Sequence, residues 1–425
     1  MPEEFMQYVW KYQLFSNEKL QTTDGDQVTV INPGTWNFDA GPDFFNASVK
    51  IGDTTWAGNI EVHGKSSDWL RHNHQTNEAY NNVILHVVLE NDVSISLPNG
   101  QRLPALQMQI APNVAKNYKQ LLAENEKPAC HNYLESIDPI YIRSTIDSML
   151  VERLQGRTIT IEGIMALNKN DWNETFYQLL ARNFGFKVNA LPFEMLSRSL
   201  PLRVLAHHTG NLFQTEALLF GQSGMLNEQL LGDDYFIELR NEYSYLANKY
   251  KLKGMEGHVW KFMRMRPANF PSLRIAQFAA LVHRSKSLLS KLIECNSPNE
   301  IIDHFRVKAS GYWDTHYRFN QPSIKQVKNL GESSRNNIII NTVVPFLYIY
   351  GDRNNKPELK SRALVILELI APEQNQIIST WDKYGVKAES AYDTQALIQL
   401  RNGYCEPKKC LRCPIGAKVI KPGVE

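Results

Sequence analysis

Cysteine is scarce, five in 425 residues, which is too few for a disulfide scaffold. No apolar run approaches the roughly 20 residues that a membrane-spanning helix needs, so contact with a membrane is not expected. The first ten residues, MPEEFMQYVW, carry two early acids and no basic stretch, which argues against a secretory signal. A glycine-rich phosphate loop and a Gly-x-Ser-x-Gly elbow are both missing, so nucleotide-driven and serine-hydrolase chemistries have no support. Internal repeats and low-complexity tracts are also absent. The expectation from these absences is a cytoplasmic protein.

What is present is ordinary globular composition, 43% hydrophobic and 21% charged, which excludes a disordered chain. The length predicts roughly two to three domains. The net charge of +2 conceals a division. Residues 1–112 hold six basic and thirteen acidic residues, a net of −7, and the remainder nets +9. The basic part allows an anionic partner without requiring one.

The periodicity predicts an α+β chain. Glu3 to Phe15 has helical spacing. Strands follow at Gln27–Ile31, Phe45–Ile51 and Thr54–His63, the last two joined as a hairpin through Gly52-Asp53. Ser66 to Tyr80 reads as a helix, and Val83–Leu89 as a strand covered on both faces. Val93–Leu97 and Leu106–Ile110 read as two further strands. Beyond them the pattern is mostly helical, with helices expected at Asn227–Leu252 and Ile275–Leu292 among others. Asn336–Tyr350 is an apolar run that periodicity leaves open between helix and strand. The division expected is an α/β domain over 1–115, a mostly helical domain over 116–400 and a cysteine-containing tail over 401–425.

The densest chemistry lies between Asp39 and His86, a stretch that contains four of the eleven histidines. Glu61 and His63 are two apart on a strand and share a face. Asp43 sits at the mouth of the preceding strand, where antiparallel pairing brings it towards Glu61. Two carboxylates beside a nitrogen base suit a hard divalent cation such as Mg²⁺ or Mn²⁺, and such an ion supports phosphodiester hydrolysis. Asp68, His72, His74 and His86 form a possible additional site. His72 and His74 share no helical face but would ligate together from a loop. Zinc bound by some combination of His63, His72, His74 and His86, in a zinc-dependent hydrolase, is the rival reading. A lone histidine in the strand of His86 is more often a core histidine.

The order αβββαβ, with Pro42-Asp43 and Glu61-Val62-His63, resembles the PD-(D/E)xK restriction-endonuclease-like superfamily over about the first 90–110 residues. The resemblance implies metal at Asp43 and Glu61 and nucleic acid as substrate. His63 stands where that motif has lysine. The departure keeps open a non-catalytic protein that binds nucleic acid or protein through an inactivated nuclease-like fold. The segments Gly41-Pro42-Asp43-Phe44, Gly58 to His63 and Arg264-Met265-Arg266-Pro267, with the three-cysteine C-terminus, resemble an uncharacterised bacterial family. That likeness implies organisation and no mechanism.

Cys405, Cys410 and Cys413 fall within nine residues as C-x4-C-x2-C. In a reducing compartment this clustering points to metal, Zn²⁺ or an iron–sulfur cluster. The fourth ligand stays open among Cys130, His131, Cys295 and another histidine. Arg264, Arg266 and Arg274 are candidates for an anion site, because the guanidinium fork fits phosphate. Arginines bridging helices are the competing reading.

Overall fold

A computed structural model describes residues 1–16, 20–97, 99–226, 232–285, 287–295 and 297–421. The chain is mixed α/β and divides into two compact units. The first comprises Met1–Asp147, Ser379–Lys387 and Leu397–Glu425, and the second Ser148–Ile378 and Ala388–Ala396. The cysteine-containing tail therefore belongs to the same unit as the N-terminal sheet. No helix among the described residues is long and apolar enough to cross a membrane.

The first unit opens with helix α1 (Glu3–Lys11), whose Phe5, Met6, Tyr8, Val9 and Trp10 are buried. Strands β1 (Val28–Asn32), β2 (Thr35–Trp36), β3 (Phe44–Ile51), β4 (Thr54–Lys65), β5 (Val83–Glu90) and β6 (Ala105–Gln107) form one mixed sheet. Its order is β1-β3-β4-β5-β6, with β2 added on β3. β3 and β4 are antiparallel, whereas β4, β5 and β6 run parallel. Central parallel strands read as near-continuous apolar runs because both faces are covered, and Val83 to Val88 is buried throughout.

The β3–β4 register decides what the sheet presents. Ala47 pairs with Gly58, but Phe44 pairs with Ile60, so β3 carries one extra residue between them. Asn46 lies in that bulge with φ 56°, a left-handed conformation that asparagine tolerates. Carried on without the bulge, the register would set Asp43 against Val62, whose side chain points to the opposite face. The bulge sets it against Glu61 instead.

Three sequence expectations change here. The helix predicted from Ser66 to Tyr80 is a single turn, α2 (Asp68–Arg71), followed by 3₁₀ turns at His74–Thr76 and Glu78–Tyr80. Asn73 breaks it with φ 60°, and polar residues continue the helical spacing without helical backbone. Val93–Leu97 is not a strand, and only an isolated bridge joins Ser96 to Arg102. Its apolar members Ile95 and Leu97 pack with Trp69, Tyr80, Val83 and Leu103. The strand predicted at Leu106–Ile110 is shorter and begins one residue earlier.

Among the described residues the second unit is helical apart from the two-stranded β7–β8 ribbon, His316–Arg318 with Gln321–Pro322. Residues 227–231 of the helix expected at Asn227–Leu252 lie outside the described residues, and the observed helix is Asp234–Tyr250. The stretch Ile275–Leu292 is two helices, Pro271–Arg284 and Leu288–Glu294. Asn336–Tyr350 resolves as helix, with a π turn at Ile339–Val343 between helical segments. Pro345 follows that turn. Because proline has no N–H to continue the ladder, a local widening of the helix is a natural response.

Candidate metal and active site

The β3 bulge brings Asp43 and Glu61 together. Asp43 N–H donates to Glu61 Oε2 at 3.1 Å, and Val62 N–H donates to Asp43 Oδ2 at 2.9 Å. The other oxygen, Oδ1, accepts from Gln7 Nε2 at 2.7 Å. Gln7 and Glu3 are four apart on α1 and so share its face. Sequence reasoning missed both. The signal lay in α1 itself, where Glu3 and Gln7 recur at helical spacing beside the buried Phe5, Met6, Tyr8, Val9 and Trp10.

The histidines converge from three elements. His63 follows Glu61 on the same face of β4, and His86 stands opposite Glu61 on the parallel neighbour β5. His63 Nδ1 lies 2.9 Å from His86 Nε2. His72 Nδ1 approaches His63 Nε2 to 3.2 Å. Because the helix stops at Arg71, the left-handed Asn73 lets His72 and His74 both approach His63. Ligand atoms of His63, His72 and His74 all lie within 4.8 Å of one another. Glu61 Oε1 is 3.4 Å from His63 Nε2 and 3.2 Å from His74 Nε2. The two sets suggested by sequence, carboxylates and histidines, are therefore one site.

Electrostatics follow from burial. Glu61 is 3% exposed and His63 fully buried. The Asp43 carboxyl is raised well above the carboxylate range, first by burial and then by the Glu61 charge, against the bonds from Val62 and Gln7. Burial likewise raises Glu61, while the Asp43 N–H opposes it. His63 is pushed down to about 2 by burial and the neighbouring imidazoles. His86 is lowered to about 4, and His74 is lowered too, both mainly by burial. Neutral imidazoles are the form that binds metal.

A divalent cation fits this set. His74 Nε2 is buried and has no hydrogen-bond partner despite its approach to Glu61. Two buried carboxyls that repel one another are stabilised by a cation between them. Donors that mix imidazole nitrogen with carboxylate favour Mn²⁺ or Zn²⁺ over Mg²⁺. His72 is exposed and lies where the site meets solvent.

Other sequence candidates have local work. Asp68 accepts from the Lys65 N–H at 3.0 Å and pairs with Arg71 at 2.9 Å. Arg274, 4% exposed, bonds Gln277, Asn269 and Ser334 and lies over the Phe186 ring. It thus bridges elements inside the second unit. Arg264 and Arg266 are exposed, on an irregular segment where Arg264 has φ 58°.

No curated protein and no solved structure matches the chain. The profile described as "Protein of unknown function (DUF2851)" matches residues 3–376, and the chain belongs to that family.

Proposed function

We propose that the N-terminal unit is a metal-dependent phosphodiesterase acting on nucleic acid, with a restriction-endonuclease-like core. The observation that carries this reading is the contact between Asp43 and Glu61 on the sheet face that also holds His63. The element order supports it: α1, then β1, β3 and β4, then α2 and a parallel β5.

Asp43, Glu61, His63, His72 and His74 would hold the cation. When bound, it would polarise water and offset charge on a phosphoryl oxygen. Gln7 and the Val62 N–H fix the Asp43 carboxylate so that both oxygens keep their direction. Glu61 would serve as a ligand, with the cation beside it holding its carboxylate ionised. His63 is neutral and cannot act as the fixed cation that the lysine of the nuclease motif supplies. Beside its role as a ligand, its contacts with His86 and His72 would fix the orientation of these rings. The histidine trio makes Mn²⁺ or Zn²⁺ the expected ion.

The test is cleavage of labelled DNA and RNA by the full chain with Mn²⁺, Zn²⁺ or Mg²⁺. Asp43→Asn and Glu61→Gln are each expected to lose at least about 100-fold in rate. Cleavage surviving in both variants would overturn the assignment. Cation binding without cleavage would favour the binding-protein alternative, for which nucleic-acid affinity should fall steeply with salt.

A further inference from the structure

Four of the five cysteines lie in the first unit, and all four are free thiols. Cys130, Cys410 and Cys413 are buried, and Cys405 is half-buried. The segment around Cys130 is fastened to the C-terminal one by polar contacts. Lys408 Nζ donates to the Leu122 carbonyl at 2.6 Å. Lys127 donates to the Glu406 carbonyl at 3.2 Å and pairs with its carboxylate. Tyr141 OH donates to the Pro414 carbonyl at 3.0 Å. Within this junction Cys130 is in electrostatic contact with Cys413, Cys405 and Cys410, and Cys405 with the other two tail thiols.

The local backbone suits thiolate ligation. The N–H groups of Ile415 and Gly416 point at the Cys413 sulfur, which is how outer-shell donors orient a ligand. A Cβ on Gly416 would stand 2.3 Å from the Cys410 carbonyl oxygen, so the C-x2-C turn closes only over glycine. Lys408 beside Cys410 and Arg401 beside Cys405 offset negative charge. Of the rival ligands, His131 bonds the Pro128 carbonyl through Nδ1 at 3.1 Å and packs its ring against Tyr384, with ring centroids 4.7 Å apart, and Cys295 belongs to the second unit.

We propose that Cys130, Cys405, Cys410 and Cys413 are the four ligands of one iron–sulfur cluster, which staples the C-terminal segment to residues 122–131. The order of the cysteines favours a cluster over a single ion: Cys405, Cys410 and Cys413 run C-x4-C-x2-C with a fourth cysteine, Cys130, far off in the chain, which is a ligand spacing of cysteine-held iron–sulfur clusters. Each thiol gives up its proton on binding, and no change of oxidation state is required of the protein.

The staple reaches the site described above. Arg412 pairs with Glu4 at 2.7 Å, and Tyr8 OH donates to the Ala417 carbonyl at 2.9 Å. Both partners lie on α1, which carries Gln7. The tail therefore braces the helix that holds Asp43.

The full chain, purified without oxygen, is assayed for iron, acid-labile sulfide and zinc. Iron and sulfide in equal amounts are expected, lost as completely in Cys130→Ser as in Cys410→Ser and retained in Cys295→Ser. Because Cys130→Ser could unfold the junction, the wild-type chain supplies a second reading. Alkylation mapped by mass spectrometry should find Cys130, Cys405, Cys410 and Cys413 protected together, then reactive together once iron is stripped with ferricyanide and EDTA. A chain without metal, one zinc per chain, or a Cys130 that alkylates while the other three stay protected would overturn the assignment. None of these results depends on nuclease activity.

Discussion

Replacing Glu61 with glutamine keeps the shape of a side chain that is 3% exposed and removes one of two adjoining charges. In the metal-free protein both carboxyls are raised by burial, and Asp43 further by its neighbour. The folded chain then holds protons that an unfolded chain, with carboxyl pKa values of about 4, has released. A raised folded pKa contributes stability that is full at low pH and lost as pH rises through the folded value. The lowered pKa values of His63, His74 and His86 act in the opposite sense. Their contribution is present above the unfolded histidine value of about 6.5 and lost on acidification. The window from about pH 6.5 to 8 therefore reports the carboxyls. One proton fewer in the variant changes the slope by about 1.4 kcal/mol per pH unit, or about 2 kcal/mol across the window. At about 2–4 °C per kcal/mol, the wild-type Tm should fall relative to Glu61→Gln by about 4–8 °C. Thermal melts followed by circular dichroism in chelator would measure it. Saturating Mn²⁺ should reverse the trend in the wild type alone, since a ligand at 100 times its Kd adds about 2.7 kcal/mol. Parallel Tm–pH curves for the two proteins would refute the reasoning.

Three further outcomes follow from the same contacts. Gln7→Ala removes the 2.7 Å donor to Asp43 and should weaken Mn²⁺ binding about tenfold by calorimetry; unchanged affinity would remove α1 from the site. Gly58→Ala places a Cβ 2.5 Å from Ile84 Cγ2 and 2.6 Å from the Asn82 carbonyl oxygen. It should cost about 1–3 kcal/mol in denaturant melts, and a neutral result would contradict the β4–β5 approach. Arg274→Ala leaves the side chains of Gln277, Asn269 and Ser334 without their shared donor. It should destabilise the second unit by about 2–4 kcal/mol while leaving nucleic-acid affinity unchanged; loss of affinity in a stable variant would restore its reading as an anion ligand.

Much of the first unit was legible because its signals are local. Alternation in Phe45–Ile51, the Gly52-Asp53 break that makes Thr54–His63 its hairpin partner, and the unbroken apolar run at Val83 mark strands, and Glu61 and His63 share a face through the two-residue period of β4. The helix assigned to Ser66–Tyr80 was misread because spacing persists through turns whose backbone is not helical. That difference matters chemically: a continuous helix would separate His72 from His74, and the turn at Asn73 unites them.

The sequence alone determined which groups could do chemistry: the acids, the four clustered histidines and the C-x4-C-x2-C tail. It could not determine their grouping, because that depends on register and on chain segments far apart. A single bulged residue in β3 sets Asp43 against Glu61 rather than Val62. The parallel pairing of β4 with β5 sets His86 beside His63. Cys130 meets a tail 275 positions away because residues 122–131 and 401–414 pack in one unit. Side-chain identity is local information, whereas convergence is the product of strand register and of contacts between distant segments.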